Sequence, residues 1–272
     1  MTAHAAQRIE SRVGERMDAW NPASRTTSPA VIARESGNAR VRNRLLGALP
    51  ADHLALLTPH LERVELAQHA QLFAPEQPIH HVYFPETVVV SLMSRLEDGR
   101  AVEVGTAGFE GMAGLPVFLA HGTATLDAVA QIPGTAHRMA APAFTRLAAA
   151  SSPLHRLLLR YSQAFLTQVA QTAACNGVHL VQERCARWLL ATCDRVDDED
   201  FALTHDLLAF VLGVRRAGVT VTLRSLQDAG VISYARGRIS ILDRAALEAV
   251  SCECYRVVRA HCDRLLPEPA VQ

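Results

Sequence analysis

Along the chain the alternation of apolar and polar positions changes period twice. Residues 63–66, 71–73, 82–84, 88–96, 101–106, 125–131 and 137–139 are short runs with β-type patterning, broken by turns. The turn Glu97-Asp98-Gly99-Arg100 has hairpin chemistry and joins two of these runs. Short strands at this spacing predict a β roll or sandwich, with short helices before it over 40–49 and 51–61, separated by Pro50. Within the roll, a glycine-rich turn over 108–115 leads into a short helix.

The period then becomes helical. A helix starts over 142–147, and a long one runs on from Pro153. Its residues Leu154, Leu158, Tyr161, Phe165, Gln168, Thr172 and Cys175 fall at alternating four- and three-residue steps, the seam of a coiled-coil-like contact. Leu157, Leu166 and Val169 widen the apolar surface, so one face is expected to pack on the roll while the seam meets its twin in a homodimer. The alternative is an internal core helix. Gly177 ends or kinks this helix, and 181–194 forms the next, packed through Trp188, Leu189 and Leu190. Asp197-Asp198-Glu199-Asp200 reads as a solvated acidic connector, and 245–266 as one terminal helix.

Residues 203–232 organise the C-terminal part. Thr204 is an N-cap candidate ahead of the apolar face Leu207, Leu208, Val211 and Leu212. Gly213 breaks the helix where a sharp turn needs positive φ. A second helical pattern turns Val214, Val219, Leu223 and Leu226 inward and leaves Arg215, Arg216, Thr220 and Arg224 on the other side. Residues 231–234 and 239–242 around Gly237 suggest a wing. Two helices about a glycine, a basic free face and a wing, in that order, predict a DNA-binding winged helix-turn-helix rather than an ordinary core hairpin.

Composition narrows the setting. The chain has 272 residues, 49% of them apolar, enough for one large domain or two ordinary ones. Its 27 basic residues equal its 27 acidic ones, which argues against non-specific coating of DNA yet leaves room for a local basic face. No lysine occurs. The six cysteines all lie in the second half without a disulfide-like framework, and no apolar run reaches the ~18 residues of a membrane span, so a reducing cytoplasm is expected. Residues 1–38 lack a signal-peptide core and are expected to be a disordered extension. The expected organisation is α+β: extension 1–38, β roll with flanking helices 39–150, dimerisation helix 151–180 and winged helix-turn-helix 181–266.

A β roll, a long seam helix and a winged helix-turn-helix, in that order from about Arg44 to about Asp243, resemble the Crp/Fnr family of bacterial transcription regulators. The most specific residues are Leu203-Thr204, Leu208-Ala209, Leu212-Gly213-Val214, Arg216, Val219, Leu223 and Gly230-Val231-Ile232. The resemblance implies a homodimer on a palindromic operator, a cyclic-nucleotide-binding-like jelly roll that senses a signal, and base reading by Arg216 at the start of the recognition helix. Arg215, Ala217 and Thr220 complete the expected base-reading set, while Thr204, His205, Arg224, Arg236 and Arg238 are expected at phosphates. Ala217 and Val221 stand where relatives often carry acidic and basic side chains, so a different operator sequence is expected.

The effector region departs further. Gly108, Glu110 and Gly111 resemble the turn of cyclic-nucleotide-binding members, yet the later segment reads His121-Gly122-Thr123-Ala124-Thr125 without the arginine that grips a cyclic phosphate. Losing that clamp argues against cyclic AMP; Gly108, Glu110, Gly111, His121 and Thr123 remain the candidate pocket for an unidentified small-molecule or redox signal. Double-stranded DNA, a second copy of the chain and RNA polymerase are the candidate partners, with no membrane.

No catalytic motif, cofactor site or metal site is assigned. His80-His81 reads as a strand edge, and Glu103 and Glu110 give no acid/base arrangement. Cys175 and His179 are four apart on a predicted helix and could face one ion. Cys252, Cys254 and Cys262 add thiols to the last helix, and Cys185 and Cys193 lie between. No CxxC pair appears, and cysteine packs readily as a small apolar residue, so any redox or metal role stays open. No cysteine precedes Cys175, which argues against an N-terminal iron–sulfur cluster. The rival from another class is a signal-binding or protein-interaction module whose helix-turn-helix has lost DNA binding.

Overall fold

The structure, a computed structural model, describes residues 30–34, 41–97, 101–119, 122–196 and 198–266. Residues 98–100 of the expected hairpin turn, His121 and Asp197 lie outside these, as do 1–29 and 35–40 of the expected extension. Residues 30–34 correct that expectation, because β1 (Ala30–Arg34) pairs antiparallel with β2 (Glu62–Leu66).

Between them lie α1 (Arg44–Gly47), α2 (Ala51–Leu57) and a 3-10 turn (Thr58–His60). The helix expected from residue 40 starts late for a visible reason. Asn43 is fully buried, its Oδ1 accepts from the backbone N–H groups of Leu45 and Leu46, and its Nδ2 donates to the carbonyls of Pro85 (2.9 Å) and Gly111 (2.8 Å). A side chain committed to capping sits just outside the helix it caps.

The roll continues with β3 (Gln71–Phe73), β4 (His81–Pro85), β5 (Val89–Arg95), β6 (Ala101–Ala107), α3 (Pro116–Leu119), β7 (Asp127–Ile132) and β8 (Gly134–Ala140). Two antiparallel sheets, ordered β1-β2-β8-β4 and β3-β7-β5-β6, enclose one core. Val64, Leu66, Val82, Phe84 and Met139 from the first sheet meet Phe73, Val90, Leu92, Ala128 and Ala130 from the second. Between Leu92 and Met93 the β5–β6 register slips, so Glu103 pairs with Met93. A one-residue slip moves a side chain to the opposite face, and Glu103 thereby joins Ser91 on the sheet's outer side, bonded to its hydroxyl.

Helices α4 (Ala141–Ala150), α5 (Ser152–Val178) and α6 (Val181–Val196) follow. Ser151 caps α5 by accepting from the Leu154 N–H, and Pro153 sits in the first turn where its missing N–H costs nothing. The winged unit comprises β9 (Asp200–Ala202), α7 (His205–Leu212), α8 (Arg216–Asp228), β10 (Ile232–Ala235) and β11 (Arg238–Ile241), with the sheet order β10-β11-β9. The acidic connector is therefore corrected at its end: Asp200 belongs to a third wing strand that pairs with Ser240.

The terminal helix is corrected too, being two helices, α9 (Arg244–Val250) and α10 (Cys254–Leu265), separated at 251–253 by an extended Ser251 (ψ 151°). The winged unit has its own core, and Val89 and Ile132 from the roll's second sheet join it beside Leu207, Leu208 and Val211. No helix among the described residues is long and apolar enough to cross a membrane.

Candidate nucleic-acid interface and sensor region

The helix-turn-helix is built as its residues dictate. Thr204 Oγ1 accepts from the Leu207 N–H at 3.1 Å and caps α7. Gly213 ends it in the left-handed region (φ 64°), with Gly213 N–H on the Phe210 carbonyl and Val214 N–H on that of Ala209, a Schellman closure. Val219, Leu223 and Leu226 are buried, whereas Val214 is half-buried in the turn, since α8 begins only at Arg216. The outer face of α8 is left to solvent: Arg215, Arg216, Ala217, Thr220, Val221 and Arg224 are all exposed.

Several of these side chains already have partners. Arg216 Nε lies 3.5 Å from Asp206, and Arg224 lies 3.8 Å from Asp228 one turn on. Both pairs are exposed and hence weakly held, so phosphate or base edges can displace them. His205 Nδ1 is 3.0 Å from Thr220 Oγ1 and its ring packs at a tilt on Tyr234, with centroids 4.8 Å apart, tying α7, α8 and the wing together. Burial, with Arg216 nearby, lowers the His205 pKa against the pull of Asp206. Arg236 (φ 51°) and Gly237 (φ 75°) form the tip of the two-residue wing hairpin, both in the left-handed region that a type I′ turn requires. Arg236 is exposed there, whereas Arg238 is bound to Asp200 of β9 through Nε (2.6 Å) and Nη2. Asp206, Asp200 and Tyr234 are thus parts of this face that the pattern of the chain did not single out.

The candidate effector residues are only partly brought together. Glu110 is buried and its Oε1 takes Nε and Nη2 of Arg195 from α6, each at 2.8 Å, which leaves Oε2 without a hydrogen bond. The Tyr161 ring fills the space over Gly111, where a Cβ would come within 2.2 Å of it, and its hydroxyl donates to the Met112 carbonyl at 2.8 Å. At Gly108 a Cβ would meet the Arg195 side chain at 2.7 Å. Thr123 forms an isolated bridge with Pro78 instead. A cavity of about 750 Å³ does open nearby, but Phe109, Glu110, Glu103, Arg187, Arg195 and Tyr255 line it, not Gly108, Gly111 or Thr123. No periodic signal marks Arg195, 85 residues from its partner.

The expected dimer seam is corrected. Leu154, Leu158, Tyr161, Gln168, Thr172 and Cys175 are buried within the single chain, and Phe165 packs on the roll core. Gln168 Oε1 accepts the Thr106 N–H of β6 at 2.8 Å, which explains a buried amide in that row. The row left exposed is Leu159, Gln163, Leu166, Ala170 and Ala173, again at four- and three-residue steps, with Leu159 52% and Leu166 64% exposed.

Residues 183–250 match the family model described as a Crp-like helix-turn-helix domain. No curated protein gives a significant match to the sequence. Among solved structures, FixK2 from Bradyrhizobium japonicum superposes with a TM-score of 0.61 at 19% identity over 71% of this chain and 98% of that one. TTHB099, a CRP-family transcriptional regulator from Thermus thermophilus, gives 0.57 at 20% identity, covering 69% and 95%. The c-di-GMP-responsive global regulator CLP from Xanthomonas campestris gives 0.57 at 16%, covering 71% and 99%. At such identities the likeness is one of fold. The chain thus carries a Crp-like helix-turn-helix domain at the end of a fold shared with Crp/Fnr regulators.

Proposed function

We propose that the protein is a cytoplasmic, sequence-specific DNA-binding transcription regulator that acts as a homodimer on a palindromic operator, under a signal received at the roll. The observation that carries this reading is the exposed outer face of α8, where Arg215, Arg216, Thr220 and Arg224 stand free of the core on a Crp-like helix-turn-helix. Arg216 is the base reader: a guanidinium can pair with O6 and N7 of guanine in the major groove. Arg236 at the wing tip supplies phosphate contact, and Arg238 does so on release from Asp200.

Two copies meet through Leu159, Leu166 and Ala170, which sets the recognition helices about one DNA turn apart. Cyclic AMP is not the signal. Glu110 is held by Arg195, Tyr161 covers Gly111, and no arginine follows in 121–125.

Selection of bound fragments from random duplex DNA tests the reading. A palindromic consensus should emerge, and Arg216→Ala should lower discrimination at one base step of each half-site by about 1–3 kcal/mol, measured by fluorescence anisotropy. Fragments without a shared motif, or unchanged discrimination in the variant, would refute it.

A further inference from the structure

Four metal-ligating side chains from distant parts of the chain converge at the C-terminal end of α5. Cys175 and His179 are one turn apart, and the break between α9 and α10 delivers Cys252 and Cys254. On an unbroken helix, residues two apart point to nearly opposite sides and could not share an ion. The extended Ser251 turns both thiols to the same point. Sγ of Cys175 lies 3.5 Å from that of Cys252, Sγ of Cys254 lies 3.5 Å from His179 Nδ1, and all four ligand atoms fall within 4.8 Å of one another. Ligands of a tetrahedral zinc at about 2.0–2.3 Å are separated by about 3.3–3.8 Å.

We propose that Cys175, His179, Cys252 and Cys254 form a closed Cys3His site for one zinc ion, fastening the end of the long helix to the α9–α10 junction. The surroundings are those of a ligand set. His179 turns Nδ1 to the thiols and Nε2 to the Glu253 carboxylate at 3.3 Å, the arrangement that orients a metal-bound imidazole. The Gln171 amide donates to Cys254 Sγ at 3.1 Å. Cys252 is hydrogen-bonded to the Cys175 thiol, and Arg187 and His179 lie close to it. Three thiolates around Zn²⁺ leave a net single negative charge, which the neighbouring arginines Arg184 and Arg187 offset. Four protein ligands leave no open position for a substrate water, and a cluster of several irons would hold the sulfurs further apart.

The test uses the full-length protein, reduced and freed of metal under anaerobic conditions, then titrated with Co²⁺ and afterwards Zn²⁺. Expected are one equivalent of tetrahedral cobalt with visible d–d bands and thiolate charge transfer, displaced by zinc, and one zinc per chain in protein as isolated. Cys254→Ser should remove the charge-transfer bands in part, and Glu253→Gln should weaken zinc binding by about 10- to 100-fold. Cys262→Ser, outside the cluster, should change neither. Should Cys254→Ser fail to fold, the wild-type titration and Glu253→Gln, whose carboxylate is largely exposed, still decide. Absence of thiolate–cobalt bands in the reduced chain, persistence of the full bands in folded Cys254→Ser, or iron with acid-labile sulfide would each overturn the site.

Discussion

Glu103 should make the seat of the winged unit on the roll sensitive to pH near neutrality. The strand slip turns this carboxyl outward, where it is buried with Ser91 and beside Trp188, Arg187 and Arg195. Burial raises its pKa from the ordinary 4.5 to about 7, although the Ser91 hydrogen bond and the two arginines pull the other way. A carboxyl whose pKa rises on folding favours the folded state while it is neutral. Its contribution is complete below about pH 4.5 and is lost as the pH climbs through about 7. At 1.36 kcal/mol per pH unit the loss amounts to about 3 kcal/mol. The isosteric Glu103→Gln keeps the neutral shape and cannot ionise. Urea unfolding of both proteins at one fixed concentration, from about pH 5 to about pH 8.5, should therefore show the variant gaining about 3 kcal/mol on the wild type. A difference independent of pH, or one running the other way, would refute the burial of an ionisable Glu103.

Glu86 should behave oppositely. Burial works against its charge, but His137 and Arg63 outweigh it and bring the pKa to about 2, so the wild-type advantage over Glu86→Gln in chemical denaturation should fade as the pH falls from about 4.5 to about 2. Gly111→Ala drives a methyl into the Tyr161 ring and should cost about 1–3 kcal/mol, read as a lower thermal midpoint. Leu166→Glu should convert the proposed dimer to folded monomers in sedimentation velocity, whereas Leu158→Glu, at a fully buried position, should lose the fold.

Where one local signal decided an outcome, the chain was legible. Strand runs with two-residue periodicity reappear within two or three residues of their expected bounds, and the Thr204 cap and left-handed Gly213 frame α7 as their chemistry demands. The outer face of α8 was legible for the same reason, since its inward residues are apolar but for Thr222 and its outward ones mostly are not.

The long helix was not, because it carries two heptad-like rows. Leu154–Cys175 and Leu159–Ala173 have the same steps, and period alone cannot say which row its own roll covers. The polar Gln168 and Thr172 sit on the inner row, where the Gln168 side chain accepts from a β6 N–H that only the folded sheet brings to it. The break at Ser251 carries no glycine or proline to announce it, and it is this break that brings Cys252 and Cys254 together. Glu110 with Arg195 and Arg238 with Asp200 join residues too far apart in sequence for any spacing to reveal.

Arg184 has two tasks at once. Its Nη2 donates to the carbonyl of Leu212, the last residue of α7 before the glycine turn, and burial lowers its pKa although a negative charge on Cys175 pulls the other way. A guanidinium forks and can serve both neighbours. The buried peg that steadies the turn ahead of α8 is therefore offset in part by sulfur on a different helix. Chemistry that strips negative charge from that sulfur takes away part of what offsets the burial of this cation, just ahead of the exposed face of α8.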